Sequence, residues 1–346
     1  MRDSIVKSPQ VAVIISVYNG QEFIAECIES ILSQTFMDFE LIIVDDASTD
    51  ETLSVIKEYV KKDSRILHAR NEVNSERCFS RNRAVSMATA DLIAVMDADD
   101  VALPDRLEKQ VAFMRGHSDV AVLGGAMEGY ENRQPFVAPT ERLPVKLLFN
   151  SVISHPTCMF QKKAFQRVGG YDESNPLAED YNLWVSFARE GYLLANIPDV
   201  LIRYRTHPNK QRAVYKESLR QSMNMVWRRQ LFFMGIDATP LELDIHGSCA
   251  SLERDIPWRI RQVKSWLQKI QKANTKKGYI PASALEEECE AMLISLAEPL
   301  SFLKEPFRYL IKLSLHCFIT SCRCTGKLGE SLEKSIRIMK DSMKHW

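Results

Sequence analysis

Five aspartates stand where apolar runs stop. Asp45 and Asp46 close the run Glu40 to Asp45 (ELIIVD), and Asp97, Asp99 and Asp100 follow Asp91 to Met96 (DLIAVM). Carboxylates packed closely raise each other's pKa unless positive charge sits among them. Hard Mg2+ or Mn2+ prefers carboxylate oxygen and water, and Mg2+ commonly takes only one or two protein carboxylates while substrate phosphates complete its shell. The residue types therefore point to a metal–diphosphate ligand. Asp also forms turns and caps helices. Asp50, directly before a helical pattern, reads as such a cap, whereas an acidic cluster abutting a buried strand has little structural use.

The elements that must position these groups alternate. Val11 to Val17 (VAVIISV) is a continuous β-branched run, the pattern of a strand buried on both faces. Residues 21–34 carry Ile24, Cys27, Ile28, Ile31 and Leu32 on one helical stripe. After the second strand, Ser48 and Glu51 form an S-x-x-E helix start, and Leu53, Ile56 and Val60 form its apolar face. Arg65 to Ala69 is a weaker strand, residues 79–89 a helix, Pro104 the start of another, and Val120 to Leu123 a further strand. Such alternation predicts βαβ units and a mostly parallel sheet with helices on both faces. Ligands bind beyond the carboxyl ends of strands in such sheets. Tyr18, Asn19 and the five aspartates would then share one sheet edge.

Composition narrows the class. Of 346 residues, 45% are apolar and 26% charged, which excludes a disordered chain or a small disulfide scaffold. No run approaches the roughly 18 apolar residues of a membrane span, and the first residues lack a secretory layout, so a cytoplasmic chain is expected. Neither G-x-G-x-x-G nor G-x-x-x-x-G-K-[ST] occurs, which disfavours a dinucleotide enzyme or a P-loop NTPase. Eight cysteines are scattered, and the cluster Cys317, Cys322 and Cys324 does not have a common zinc spacing.

The stretch from Val11 through Asp45-Asp46-Ala47-Ser48-Thr49-Asp50 resembles the opening of the family-two glycosyltransferases, which have the GT-A fold: an α/β arrangement with a twisted, mostly parallel sheet. The likeness continues through Arg81-Asn82, Asp97-Ala98-Asp99-Asp100, Leu103-Pro104-Asp105-Arg106, Ser154-His155-Pro156-Thr157, Gly169-Gly170-Tyr171-Asp172 and Ala178-Glu179-Asp180, ending near Arg205 and His207. The segment Asn74 to Ser80 lacks the glycine usual there. The resemblance implies metal-dependent, inverting transfer of a sugar from a nucleotide-diphosphate donor, UDP-linked by preference, to an acceptor hydroxyl. By residue it implies Asp180 as catalytic base; Ser16, Tyr18, Asp46, Asp97 and Asp99 at the donor; and Asp99 and Asp100 nearest a Mn2+ or Mg2+ ion. Arg81 is the arginine expected to meet phosphate, and His207 is a further candidate for metal or phosphate. His155 reads as a near-core histidine or a catalytic one, and Trp184 as core or as a platform for an acceptor sugar.

Residues 1–210 are thus expected to form a GT-A catalytic domain and 211–346 an α-helical region. Residues 1–207 hold 22 Lys and Arg against 30 Asp and Glu, while the remainder holds 23 against 15. Helical spacing marks Leu219 to Met234 and Val263 to Ile270, a third helix opening at Ser283 and Glu286, one after Pro306, and a last from about Leu332 to Met343. Their basic faces either contact an anionic membrane, placing the chain at its inner face, or stand in solvent while the helices pack on the core. The acceptor implied is a saccharide or lipid-linked saccharide, in cell-surface polysaccharide or glycolipid assembly. Nucleic acid is not expected, since no recognition motif is present. The alternatives are a non-catalytic sugar-nucleotide-binding relative and a nucleotidyltransferase of similar topology. The first would be expected to lack Asp99 or Asp180, and the second to carry a glycine-rich basic loop early in the chain.

Overall fold

The computed structural model describes residues 8–129, 142–205, 216–251 and 260–297. Strand β1 (Val11–Val17) is buried except at Ser16, and β2 (Phe39–Asp45) is buried throughout. Both are continuous apolar runs because helices cover both faces. Helix α1 (Ile24–Leu32) buries the expected stripe of Ile24, Cys27, Ile28 and Ile31. Helix α2 (Thr52–Lys62), β3 (Ile66–Arg70), α3 (Glu76–Met87), β4 (Leu92–Asp97), the two-residue β5 (Val101–Ala102), α4 (Arg106–Gly116) and β6 (Val120–Glu128) follow in order.

After residue 142 come α5 (Leu143–Phe149), a 3-10 turn at His155–Thr157, β7 (Met159–Gln161), α6 (Lys162–Arg167), α7 (Glu179–Arg189) and β8 (Leu193–Arg203). The eight strands form one sheet in the order β3-β2-β1-β4-β7-β6-β8-β5. Its first four strands are parallel, β7 runs antiparallel to β4 and β6, β8 is parallel to β6, and β5 antiparallel to β8. The sheet is therefore mixed, and its parallel half carries the aspartates. Register places them side by side: Val17 pairs with Asp45 and Ser16 with Asp97.

Two local expectations differ from what forms. Ser48 and Glu51 make no capping box: the Ser48 hydroxyl accepts the amide of Asn19 at 2.9 Å, and Asp50 accepts the Thr52 amide at 3.0 Å. The strand expected at Val120 to Leu123 runs on to Glu128 through Gly124 and Gly125. A Cβ at Gly124 would stand 2.2 Å from Asn196 Oδ1, and one at Gly125 2.4 Å from Leu201, so the glycines let β8 come close.

Helices α8 (Lys216–Phe233), α9 (Pro240–Ser251), α10 (Ile260–Lys277) and α11 (Ala282–Ala297) complete the described chain. Trp227 of α8 donates to Phe149 O at 3.0 Å, and Gln230 donates to Leu147 O at 3.0 Å and to the Tyr181 hydroxyl at 3.0 Å. On α10, Val263, Trp266, Leu267 and Ile270 are all buried. Trp266 Nε1 donates to His246 Nδ1 at 3.2 Å, and His246 Nε2 donates to Leu148 O at 2.9 Å. Burial pushes the His246 pKa down to about 4, which keeps that relay neutral. Residues up to Met292 form one compact unit, and of the second only Leu293 to Ala297 is described. The helices expected after Pro306 and near Leu332, and the cysteine cluster at 317–324, lie outside the described residues.

Candidate active site

Asp97 is the last residue of β4, and the chain turns at once, with the Asp100 amide donating to Asp97 O at 3.2 Å. That turn gathers the acidic groups: one carboxylate oxygen each from Asp97, Asp99 and Asp100 lies within 4.8 Å of the others. Asp100 is buried, while Asp97 and Asp99 are half-buried. Arg205 follows β8 and braces the cluster. Its amide donates to Asp100 Oδ1 at 3.0 Å, its Nε to Asp99 O at 3.1 Å, and its guanidinium also pairs with Glu26 and lies 4.8 Å over the Phe23 ring. Three carboxylates at this spacing are a hard oxygen donor set, which fits Mn2+ or Mg2+. The other expected metal contact, His207, lies outside the described residues.

The neighbouring strand ends build a second wall. Asn19 takes φ +50 and its side-chain oxygen accepts the Thr49 amide at 2.8 Å, which leaves Tyr18 about half exposed. Asp45 is fully buried, with Arg70 Nε 3.3 Å from its Oδ2. Asp46 is buried, and its Oδ1 accepts from Asn71 Nδ2 at 2.5 Å and from the Ser75 amide at 2.9 Å. Asp46 thereby fixes the loop ahead of α3. Ser16 is half-buried beside Asp97.

Asp180 stands in the first turn of α7. Its Oδ1 accepts the amide of Tyr181 at 2.7 Å. Burial first, and then the adjacent Glu179 carboxylate, push its pKa up to about 7, against the lowering pull of Arg81. A carboxyl poised there suits proton abstraction near neutral pH. Arg81 itself is buried, with Nη1 donating to Glu179 Oε1 at 2.7 Å and Nη2 to Asp97 Oδ1 at 3.0 Å. The arginine expected at phosphate thus has both Nη atoms on protein carboxylates. Burial raises the Asp97 pKa, but Arg81, His155 and Arg77 together outweigh it and hold the carboxyl below its usual range.

Behind these groups lies an aromatic wall. His155 Nε2 is 2.9 Å from the Tyr171 hydroxyl, and burial together with Arg81 drives the His155 pKa well below its usual value. His155 is therefore a neutral near-core histidine. Trp184 is fully buried, 6.2 Å from His155 between ring centroids, and so is a core residue and not an exposed platform. Asn71, Asn82 and Glu179 are structural partners that the residue types alone did not single out. The pair Arg81-Asn82 and the pair Glu179-Asp180 were the only signals that could have found the last two.

The pattern described as "Glycosyl transferase family 2" matches residues 12–169, and that described as "Glycosyl transferase family group 2" matches residues 92–270. The chain is 37% identical over 203 residues to the putative glycosyltransferase EpsE of Bacillus subtilis, covering 57% of this chain and 73% of that protein. It is 30% identical over 215 residues to the Escherichia coli UDP-Glc:alpha-D-GlcNAc-diphosphoundecaprenol beta-1,3-glucosyltransferase WfaP, covering 61% and 84%. Its fold is similar to that of the mannosyltransferase PcManGT from Pyrobaculum calidifontis in complex with GDP-Man and Mn2+. The TM-score is 0.57 at 19% identity, over 86% of this chain and 89% of that one.

Proposed function

The chain belongs to glycosyl transferase family 2, and from that premise we propose that this GT-A glycosyltransferase moves a sugar from a nucleotide-diphosphate donor to an acceptor hydroxyl with inversion. The observation that carries the reading is the trio Asp97, Asp99 and Asp100, with carboxylate oxygens within 4.8 Å of one another beside the open ends of β1 and β2. Asp99 and Asp100 would hold Mn2+ or Mg2+. When bound, that cation supplies charge stabilisation for the departing diphosphate. Tyr18 offers an exposed ring to the base, Asp46 a carboxylate to a ring N–H, and Ser16 and Asp97 flank the donor between them.

Asp180 takes the acceptor hydroxyl proton as the new oxygen–carbon bond forms. The bond from the anomeric carbon to the diphosphate oxygen breaks on the opposite side, and the proton stays on Asp180. Its raised pKa makes it a stronger base than an ordinary aspartate, and such help is typically worth about 10²–10⁴-fold in rate.

We propose UDP-linked donors first, and a saccharide or lipid-linked saccharide as acceptor, because the similar WfaP is named for both a UDP-sugar and a diphosphoundecaprenol acceptor. The function is proposed to divide near residue 210, with the helices after it serving the acceptor side. No helix of the described residues is long and apolar enough to cross a membrane. The apolar stripe of α10 is spent on packing, and Lys272, Lys276 and Lys277 remain exposed. Contact of α10 with an anionic inner membrane face would therefore be electrostatic. Vesicle flotation at low salt, lost at about 0.5 M salt, tests it.

The deciding experiment for the donor is a thermal-shift screen of nucleotide sugars with and without Mn2+. Binding to the native state alone raises apparent stability by mass action. A shift for one donor that needs the metal is expected, and no shift with any nucleotide diphosphate would end the reading.

A further inference from the structure

One guanidinium joins the two ends of the site. Arg81 is 6% exposed and Glu179 5% exposed. Arg81 comes from α3, and its carboxylate partners lie 98 and 16 residues away in sequence. Glu179 is the first residue of α7 and precedes Asp180, while Asp97 is the last residue of β4 and opens the acidic trio. The Tyr171 ring packs 5.7 Å from the Arg81 Cζ, and Arg77 Nη1 stands 3.7 Å from the same Glu179 oxygen. An arginine fork binds carboxylates with fixed geometry, which an ammonium group does not reproduce. Both Nη atoms of Arg81 thus donate to protein carboxylates at the two ends of the site.

We propose that Arg81 is a positioning residue that fixes the first turn of α7 against the end of β4, and so sets where Asp180 stands relative to the donor. The inference rests on the glycosyl-transfer reading of the site. It differs from a donor-binding role for Arg81, since the effect passes through Glu179 and Asp97. Small displacements of reacting groups are costly: a shift of about 1 Å can cost 10²-fold in rate.

Arg81→Lys keeps the charge and loses the fork. Its expected kcat is lower by about 10²-fold, the larger effect, beside a smaller rise in donor KM passed through Asp97. A raised donor KM with kcat preserved would show that Arg81 meets the donor, and would overturn the proposal. Amide hydrogen exchange supplies a readout without activity. The Asn182 amide donates to Ala178 O at 2.9 Å in the first turn of α7. Exchange of residues 182–184 in Arg81→Lys should quicken about tenfold or more while the β1 and β2 amides keep their protection. Unchanged exchange there would also overturn it.

Should Arg81→Lys melt globally, Glu179→Gln removes the same link from the other side and is read the same way. If the unaltered enzyme transfers no sugar from any donor, the functional reading falls, and the exchange result alone still decides whether Arg81 holds the helix.

Discussion

Asn82 grips the backbone of Tyr171 at both ends: its Nδ2 donates to Tyr171 O at 3.0 Å, and its Oδ1 accepts the Tyr171 amide at 2.9 Å. Gly170 makes the approach possible. Its φ is +73, and a Cβ there would stand 2.8 Å from Asn82 Oδ1. The clamp fixes the ring that backs Arg81 and the hydroxyl that meets His155. Asn82→Ala leaves both backbone groups without that partner. The expected cost is about 2 kcal/mol, read as a Tm lower by roughly 4–8 °C. Gly170→Ala should cost a comparable amount through strain at positive φ. Melting within about 1 °C of the parent for both variants would remove the clamp from the account.

Asp180→Asn keeps the size of the side chain and loses the base. The expected kcat falls about 10²–10⁴-fold. Donor affinity, read by calorimetry with Mn2+ present, stays within about twofold, because the groups proposed for the donor lie at or just beyond the ends of β1, β2 and β4. A variant turning over at near-parental rate would show that another group takes the proton.

The raised pKa of Asp180, about 7, fixes two pH dependences. The base must be ionised, so kcat/KM for the acceptor should rise with pH and level off above about 7. A profile flat from pH 5 to 9 would contradict this. Stability runs the other way. A carboxyl whose folded pKa exceeds its unfolded value of about 3.9 binds its proton more tightly when folded. That contribution is whole below about pH 4 and is lost as pH rises through 7. Asp180→Asn escapes the loss, so its Tm relative to the parent should be higher at pH 8 than at pH 4.

The sheet edge was legible because β1, β2 and β4 are apolar runs, the latter two stopping at Asp, and both the runs and the stops are local. Strand β8 was not. Pro198 and Asp199 interrupt its apolar residues, and the structure absorbs them in register shifts against β6 between Gly124 and Ala126. Glycines hid the far half of β6 for a related reason, since they mark close strand approach and not a turn. The Arg81–Glu179 pair spans 98 residues, and no periodicity reports a contact at that range. Residue type suggested a phosphate ligand for Arg81, and only the packed structure shows the two carboxylates that accept from it. His155 and Trp184 left two readings open in the sequence because burial, which separates them, is a property of the packed chain.

The loop into α3 offers the last test. Its segment Asn74 to Ser80 contains no glycine, and Glu76, exposed at the start of α3, takes φ +69. A side chain in that region costs roughly 1–2 kcal/mol, whereas glycine adopts it freely and pays about 0.5–1 kcal/mol in chain entropy. The loop is held there regardless, because the chain before Glu76 must deliver the Ser75 amide to Asp46 and the chain after it Arg81 to its two carboxylates. Glu76→Gly should therefore stabilise by about 0.5–1 kcal/mol, raising Tm by roughly 1–4 °C. Glu76→Ala removes the same carboxylate but keeps the Cβ, so it should gain little. Equal gains from the two variants would assign the effect to charge and would contradict strain at Glu76.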